Sequence, residues 1–322
     1  MNPRLEKSPL GGRIMWTQHH DLHSHSQHSD GDHVVDKVAQ LMFDEGVLVW
    51  SLTDHDTTSG WEEGAEAAAR RGMRFVPGVE ITCEPALAAQ EAQLRANGLE
   101  RPSASWHLLA YFPDHQPGMN EEDVAGFKAW LAPKQDGRLP RMKAMCERLS
   151  SLGMPVDIED VCRRASGSVG RPHLAEVMVE LGYVATKREA FETWIGDGLP
   201  GFVQHEKPTV QEAVAAVKSA GGMTSLAHPR YYGVPTKALV SALVEFGVDS
   251  IEAVHRSHND AYRHELMTEA IAQGLSITVG SDFHGIARQP RPGNMPIQHQ
   301  GLDERLAVNG GHQRPEPPRT EE

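Results

Sequence analysis

Histidines and carboxylates stand at or beside the ends of seven short apolar runs in this 322-residue chain. The residues at these ends are His23, His25, Asp54, His55, Glu80, His107, His228, Glu252, Asp282 and His284. In a barrel of parallel strands, the carboxyl ends of all strands converge on one face, where active sites are built. His, Asp and Glu side chains gathered at such a face are the ligands of a metal site. The sequence therefore predicts a metalloenzyme.

Two of these endings share one spacing. His23 and His25 stand two residues apart, which on a strand places both imidazoles on the same face. Asp282 and His284 repeat that spacing on the last predicted strand. One such pair alone is as often a chance surface pair as a site. Two pairs on the first and last strands of one barrel become neighbours when the barrel closes, which favours a shared metal site.

Charge and cysteine content limit the possible partners. The formal charge of −13 repels nucleic-acid backbones, so no extended duplex nucleic acid is expected as a partner. The three cysteines form no C-x-x-C pair and predict a reducing, cytoplasmic setting. No apolar run approaches the roughly 18–20 residues of a membrane span. The N-terminus also lacks the apolar stretch of a signal peptide, so no membrane partner is expected.

Strand and helix patterns divide the chain. Residues 1–15 predict a flexible N-terminal arm, and residues 287–322 lack apolar periodicity and predict a disordered tail. Residues 16–116 and 206–286 show the strand–helix alternation of a parallel α/β barrel. Between them, residues 117–205 carry mainly helix signals. They predict a small helical subdomain that lies over the mouth of the barrel.

The motifs resemble the PHP family, the polymerase and histidinol phosphatase metal-dependent phosphoesterases. The matching stretches are D-L-H-S-H at 21–25, S-D-G at 29–31, T-D-H-D at 53–56, G-V-E at 78–80, A-H-P at 227–229 and G-S-D-F-H at 280–284. They occur in family order across about residues 16–286. The resemblance implies a distorted seven-stranded (β/α)7 TIM-like barrel with an inserted helical subdomain.

The resemblance also implies three divalent metal ions, with manganese favoured and iron or zinc as alternatives. Carried onto this chain, the three ligand sets are His23, His25, Glu80 and Asp282; Glu80, His107 and His228; and Asp30, His55 and His284. Glu80 bridges the first two ions, and His107 follows a predicted insertion at 84–104. A mixed nitrogen and oxygen set without thiolate agrees with these metals. Catalysis is expected to depend on His23, His25, Glu80, His228 and Asp282.

Other polar residues near the motifs receive different interpretations. Asp54 and Asp56 flank His55 and, on a strand, point away from its face, which predicts supporting or capping roles. Glu252 is read equally well as a core-edge carboxylate with a hydrogen bond or as a functional group. The remaining histidines of the first loop are predicted to be solvated; they are His19, His20, His28 and His33.

Two arginines are candidate phosphate-binding residues. Arg171 precedes Pro172 at a predicted helix start, where backbone amides and a guanidinium favour an anion. A hydrogen bond from Arg171 to a loop carbonyl is the alternative. Arg230 follows the A-H-P motif and is expected at the same mouth. The G-R-P-H and A-H-P-R motifs resemble the PHP branch of RNase AM and the 3′,5′-nucleoside bisphosphate phosphatases.

This resemblance implies a hydrolase that acts on phosphate esters at the 5′ position of nucleotides bearing a 3′ phosphate, or on the 5′ end of short RNA. Attack would come from a metal-activated hydroxide. One alternative is a phosphatase for histidinol phosphate or another small monoester. The other is a non-catalytic metal-binding PHP module.

Overall fold

A computed structural model of the chain describes residues 15–16, 20–87, 105–136, 138–165, 169–203, 207–287, 292, 298–299 and 304–306. The strands are β1 Met15–Trp16, β2 His20–Asp21, β3 Val49–Trp50, β4 Arg74–Phe75, β5 Gly78–Cys83, β6 Trp106–Tyr111, β7 Met223–Leu226, β8 Ser250–His255, β9 Ser276–Gly280 and β10 Gln298–His299. Most of the predicted arm at 1–15, of the insertion at 84–104 and of the tail at 287–322 lies outside the described residues.

The helices fill most of the chain between the strands. They are α1 Val35–Asp44, α2 Trp61–Arg70, α3 Glu122–Asp136, α4 Arg138–Ser151, α5 Ile158–Cys162, α6 Arg171–Glu180, α7 Lys187–Thr193, α8 Val210–Ser219, α9 Thr236–Glu245 and α10 Asp260–Ala272. Pro229–Tyr232 and Glu304–Leu306 form short 3-10 helices. Among the described helices, none is long and apolar enough to cross a membrane.

Two sheets carry the fold. Strands β2, β3 and β4 form a parallel three-stranded sheet, and β5 to β9 form a five-stranded sheet in sequence order. In the larger sheet β6 runs antiparallel to both β5 and β7, while β7, β8 and β9 are parallel. Strands β1 and β10 form a separate antiparallel pair. The prediction of an α/β fold is confirmed, whereas the prediction that all strands are parallel is wrong at β6.

The predicted closed seven-stranded barrel is not present among the described strands. The two sheets meet instead at isolated bridges, where Ser24 pairs with Phe283 and His55 pairs with Glu80. The backbone adopts positive φ at Asp282, 53°, one residue before one bridge, and at Asp56, 52°, one residue after the other. A strand cannot continue through such a conformation. The ladder is therefore interrupted at the positions that carry candidate ligands.

Apolar stripes on the helices cover the sheets. Helix α8 buries Val210, Ala213, Val214 and Val217, a spacing of three to four residues that forms one helical face. Its first turn is fixed by a capping box in which Thr209 and Glu212 satisfy each other's backbone N–H groups.

A second apolar cluster lies within the helical segment and includes Met142, Leu149, Leu174, Met178 and Ile195. These residues belong to α4 and α6 and to the turn after α7, so this segment has a core of its own. The boundaries at 117–205, and those of the two barrel segments at 16–116 and 206–286, stay predictions.

Candidate metal centre

Glu80 lies in the middle of β5, and its buried carboxylate faces five imidazoles. Its Oε2 lies 3.3 Å from His23 Nε2 and 3.1 Å from His25 Nε2. The same oxygen lies 3.1 Å from His55 Nδ1. His23 and His25 follow β2, and His55 follows β3. Two chain segments therefore bring three ring nitrogens to one oxygen atom.

The other oxygen of Glu80 faces the remaining two imidazoles. Oε1 lies 2.7 Å from His107 Nδ1 and 3.0 Å from His228 Nε2. His228 follows the end of β7, as predicted for a parallel strand. His107 instead lies at the start of β6, where it pairs with Thr82 of β5. Because β6 is antiparallel, its start lies beside Glu80, and this reversal is what brings His107 into the centre.

Asp282 lies on the other side of the first pair of histidines. Its Oδ1 is 3.3 Å from both His23 Nε2 and His25 Nε2. The same oxygen is 3.4 Å from His284 Nδ1. His23 and His25 thus each present Nε2 to the carboxylates of both Glu80 and Asp282.

Asp30 completes the outer part of the cluster. Its Oδ1 lies 3.2 Å from His284 Nε2, and it is 3.8 Å from both His25 Nδ1 and His55 Nε2. The Asp30 side chain is 35% exposed, whereas that of Glu80 is 1% exposed. The centre is therefore closed at Glu80 and open towards solvent at Asp30.

The candidate ligands form three groups within which all ligand atoms lie within 4.8 Å of one another. The groups are His23, His25, Glu80 and Asp282; His25, Asp30, His55 and His284; and His55, Glu80 and His107. The first group has the membership predicted for the first ion. The other two differ from prediction: His25 joins Asp30, His55 and His284, and His55 takes the place of His228 beside Glu80 and His107. All nine predicted ligands lie in this cluster, and their roles as ligands stay a prediction.

The cluster has the properties that divalent cations require. Five buried atoms form no hydrogen bond among the described residues and converge instead; they are His23 Nε2, His25 Nε2, Asp30 Oδ1, His55 Nδ1 and Glu80 Oε2. An unsatisfied buried polar group costs about 1–3 kcal/mol. The N–O separations of 3.1–3.3 Å match two ligands about 2.1 Å from a shared ion at an angle of about 95–105°. The donor set therefore fits Mn²⁺, Fe²⁺ or Zn²⁺.

Residues 21–139 match the PHP domain family. These residues are similar to a PHP domain. This match confirms the resemblance inferred from the motifs. His228, Asp282 and His284 lie beyond the matched residues, and the geometry brings them to the same centre.

The curated proteins that the chain resembles are phosphoesterases by name. A 3′,5′-nucleoside bisphosphate phosphatase of Chromobacterium violaceum is 29% identical over 87% of this chain and 90% of its own length. A 5′-3′ exoribonuclease of Haemophilus influenzae is 29% identical over 83% of this chain and 90% of its own. A phosphoribosyl 1,2-cyclic phosphate 1,2-diphosphodiesterase of Eggerthella lenta is 27% identical over 85% of this chain and 97% of its own.

Two solved structures share the architecture. One is a protein of Chromobacterium violaceum described as an amidohydrolase with bound sulfate and no metal. It is 28% identical, covers 88% of this chain and 92% of its own, and has a TM-score of 0.66. The other, from Bifidobacterium adolescentis, is described as a proposed metal-dependent phosphoesterase. It is also 28% identical, with a TM-score of 0.66 over 89% of this chain and 93% of its own.

Protons on the histidine rings would balance part of the negative charge of the carboxylates when no ion is bound. Burial works to lower the pKa of His25, but contacts with the carboxylates of Asp282 and Glu80 outweigh it and raise this pKa to about 10. Burial also works to lower the pKa of His23. The charges of Glu252, Glu80 and Asp282 outweigh burial and raise this pKa well above its ordinary value. Metal binding must therefore displace protons from these rings.

The neighbouring ring of His55 behaves differently. Burial lowers the pKa of His55 to about 3, and the charges of Glu80 and Asp30 offset this only in part. His55 is therefore neutral at physiological pH, with a lone pair available for an ion.

Asp54 and Asp56 support the centre from outside the ligand groups, as predicted. Asp54 accepts hydrogen bonds from the backbone and the hydroxyl of Ser26, both at 2.7 Å, and from the Ser29 hydroxyl at 2.6 Å. Asp56 accepts from the backbone and the hydroxyl of Thr82, both at 2.8 Å. These bonds fix the loop between His25 and Asp30 and the strand that carries Glu80.

Sequence reasoning left Glu252 open and did not single out His255. Glu252 is fully buried and lies 3.0 Å from His23 Nδ1, so it is a hydrogen-bonded, buried carboxylate in contact with a candidate ligand. His255 ends β8, and its buried Nε2 lies 3.9 Å from Asp282 Oδ2. Its position at a strand end beside the other candidate ligands was the available signal.

The first-loop histidines differ from one another. His20 was predicted to be solvated, and this is wrong, because it lies in β2 opposite Val49 and is fully buried. His28 and His33 are half-buried, and His28 Nε2 lies 3.1 Å from Glu63 Oε1. His19 lies outside the described residues.

The two arginines occupy different surroundings. Arg171 begins α6, and its guanidinium donates to the Asp197 carboxylate at 2.9 Å and to the Ile195 carbonyl at 3.3 Å. Both partners belong to the helical segment. Arg230 is exposed in the turn after His228. Beside it, Tyr231 is 54% exposed with its ring 5.1 Å from that of His228, so an aromatic face stands at the rim.

Three residues of the centre have strained backbone conformations. Asp56, His228 and Asp282 have φ of 52°, 30° and 53°, and they are the non-glycine residues with positive φ in the described part of the chain. Such conformations cost about 1–3 kcal/mol each and persist where the surroundings over-determine them. Two of the three are candidate ligands.

Proposed function

We propose that this chain is a metal-dependent phosphoesterase that hydrolyses phosphate esters at the 5′ position of nucleotides bearing a 3′ phosphate, or removes nucleotides from the 5′ end of short RNA. The observation that carries the proposal is the convergence of five imidazoles on Glu80, with Asp30 and Asp282 beside them. The named activities of the similar proteins, all on phosphorylated ribose, support the substrate class.

The charge of the centre suits a phosphate ester. Divalent ions bound there would acidify water and neutralise charge on phosphate oxygens. We propose three ions, with Mn²⁺ favoured; their charge of +6 would exceed the −3 of Glu80, Asp30 and Asp282. Glu80 and His23 form the closed floor, while Asp30 and His107 are 35% and 24% exposed. A phosphate would therefore approach from the side of Asp30 and His107.

The residues around the opening suggest how a nucleotide would be held. Tyr231 places an exposed aromatic ring beside His228, and the exposed Arg230 next to it has its guanidinium 5.7 Å from the Tyr262 ring. We assign the Arg230 guanidinium to a phosphate of the substrate and the Tyr231 ring to its base. We assign Arg171 to a second phosphate of the substrate. Its ion pair with Asp197 is partly exposed, at 21% and 43%, so a phosphate can replace the carboxylate.

A metal analysis followed by a substrate panel tests the function. The panel contains adenosine 3′,5′-bisphosphate, a 5′-phosphorylated oligoribonucleotide, histidinol phosphate and a ribose cyclic phosphate. Turnover of the first two, lost in His25→Ala and Asp282→Ala with the fold retained, is the expected result. Preference for histidinol phosphate would support the small-monoester alternative. Bound metal without hydrolysis of any ester would support a non-catalytic module.

A single arginine substitution tests the second-phosphate assignment. Arg171→Ala should raise KM for adenosine 3′,5′-bisphosphate by about tenfold or more, because a charged hydrogen bond contributes about 1.5–3 kcal/mol, and should leave KM for AMP nearly unchanged. Arg188→Ala is the control, since Arg188 lies on the neighbouring helix α7 and is 84% exposed beside Glu192. An equal rise in KM for both substrates would reject the assignment.

A further inference from the structure

Glu252 connects two candidate ligands without joining any ligand group. It lies in β8 and is fully buried. Its Oε1 lies 3.0 Å from His23 Nδ1, and its Oε2 accepts a hydrogen bond of 2.7 Å from the backbone N–H of His228. Both oxygens of this carboxylate are therefore engaged, each with a residue that faces Glu80 on its other side.

The contact with His23 determines which ring nitrogen carries the hydrogen. A neutral imidazole has one donor nitrogen and one acceptor nitrogen, and an ionised carboxylate only accepts. The Nδ1 atom of His23 must therefore donate to Glu252. Its lone pair is then on Nε2, which lies 3.3 Å from both Glu80 Oε2 and Asp282 Oδ1. That is the nitrogen an ion shared with these carboxylates would need.

The contact with His228 acts on the backbone. His228 has φ of 30°, a conformation that only its surroundings can maintain. Its N–H is held by Glu252 Oε2, and the Nε2 of its ring lies 3.0 Å from Glu80 Oε1. The same carboxylate thus fixes the ring of one candidate ligand and the main chain of another.

Glu252 and His23 pack closely against β9. A Cβ added at Gly280 of β9 would lie 2.4 Å from Glu252 Oε1 and 2.3 Å from His23 Cβ. The Glu252 carboxylate and the Cβ of His23 therefore lie against the backbone of the next strand.

We propose that Glu252 is a positioning residue that sets the tautomer of His23 and holds the strained backbone of His228, so that both rings present a lone pair to the metal centre. This inference rests on the proposed metal-dependent function. It assigns Glu252 a role separate from metal ligation.

The variant Glu252→Gln isolates this role because it keeps the size and removes one acceptor. The amide oxygen can accept from only one of the two N–H groups, and the NH₂ then faces the other. The backbone N–H of His228 can only donate a hydrogen bond. If the amide oxygen remains there, the NH₂ faces His23 Nδ1 and forces the hydrogen of the ring onto Nε2. That tautomer cannot bind the shared ion.

Asp249→Asn is a matched control just before the start of the same strand. Asp249 accepts hydrogen bonds of 2.9 Å from the backbone and the hydroxyl of Thr224, and it pairs with Lys218 at 3.1 Å. It therefore resembles Glu252 in accepting from a backbone N–H of a neighbouring segment. It belongs to none of the metal-ligand groups of the described residues.

The experiment measures Mn²⁺ binding to the metal-free full-length proteins and hydrolysis as a function of Mn²⁺ concentration. Glu252→Gln should weaken the tightest Mn²⁺ site by about 10- to 100-fold, and its turnover should rise with added Mn²⁺ where the wild type is already saturated. Asp249→Asn should retain the wild-type Mn²⁺ affinity. Where Glu252→Gln does not fold, Glu252→Asp, which keeps the charge but shortens the reach, takes its place with the same criterion.

The outcomes separate this inference from the proposed function. A wild type that binds Mn²⁺ and hydrolyses the esters, with unchanged Mn²⁺ affinity in the Glu252 variant, would overturn the positioning role alone. Equal weakening in the Glu252 and Asp249 variants would also overturn it, since the effect would then be general destabilisation. A wild type that neither binds Mn²⁺ nor hydrolyses any ester would reject the proposed function itself.

Discussion

Replacing Gly280 by alanine tests how tightly the metal centre packs against β9. The added Cβ would lie 2.3 Å from His23 Cβ, whereas real Cβ atoms essentially never approach another heavy atom within 3.0 Å. The His23 side chain or β9 must therefore move by about 1 Å. Overpacking of this kind costs about 1–3 kcal/mol in the free energy of unfolding. A displacement of about 1 Å at a catalytic group lowers the rate by about 10²-fold.

Gly126 provides a control with the same chemical change and the opposite expected sign. It is exposed within α3, and a Cβ there would meet no atom within 4 Å. Neither glycine has positive φ, so alanine is compatible with both backbone conformations. Gly126→Ala should raise the free energy of unfolding by about 0.5–1 kcal/mol, because alanine is favoured over glycine inside a helix.

Denaturant unfolding of both metal-free variants, with ester hydrolysis by the Mn²⁺-loaded proteins, gives the two readouts. The unfolding midpoint should fall for Gly280→Ala and rise for Gly126→Ala, with activity lost only in the former. Midpoints that move in the same direction would show that the contact between β9 and His23 is not as close as the structure indicates. Full activity of Gly280→Ala would contradict the link between that contact and catalysis.

Two further predictions concern the ions. Glu80→Gln keeps the shape of the side chain but removes the charge faced by five imidazoles. It should release bound metal and lower turnover by at least about 10³-fold, since metal ions supply several kcal/mol. Elemental analysis measures the metal content, and kinetics measure the turnover. The exposed Glu84, at the end of the same strand region, is the control in Glu84→Gln, and near-normal metal content in Glu80→Gln would contradict the bridging role. Mn²⁺ binding should also tighten with pH by about tenfold per unit for each displaced proton from about pH 6 to 8. The reason is that the pKa of His25 is raised to about 10 without metal, so its proton is held throughout that range and must leave when the ion binds. Mn²⁺ titrations at several pH values measure the slope, and an affinity independent of pH would contradict it.

The candidate ligands could be predicted because each lies in a short motif with its own spacing. The two-residue spacing of His23 and His25 predicts that both rings lie on one face, whichever way the strand runs. His107 shows the limit of this reasoning. An alternating apolar pattern reads the same in both directions, so nothing in Trp106–Tyr111 indicates that β6 is antiparallel. His107 was placed correctly although the direction of its strand was not.

Barrel closure and the role of Glu252 could not be read from the sequence for a different physical reason. Both depend on partners far along the chain. In the sequence, Glu252 is a single acid in an apolar strand. Its role depends on His23, 229 residues away, which donates a hydrogen bond to it. Closure depends on the segments of β2 and β9, which are joined by single backbone hydrogen bonds, such as those from Leu22 N–H to the Val279 carbonyl at 3.0 Å and from Asp282 N–H to the His23 carbonyl at 2.9 Å, and not by a continuous ladder. Strand periodicity carries no information on either point.

The left-handed backbone at Asp56, His228 and Asp282 limits how this centre could be re-engineered for other metals. Ligand exchange is usually planned by donor atom alone, with cysteine or glutamate introduced where a softer or longer donor is wanted. At these three sites the main chain excludes most replacements before coordination matters, because β-branched and bulky residues rarely adopt positive φ. Asparagine, aspartate, histidine and glycine are the residues that tolerate it best. A randomised library should therefore retain a narrow set of side chains at these sites and a broad one at Asp30.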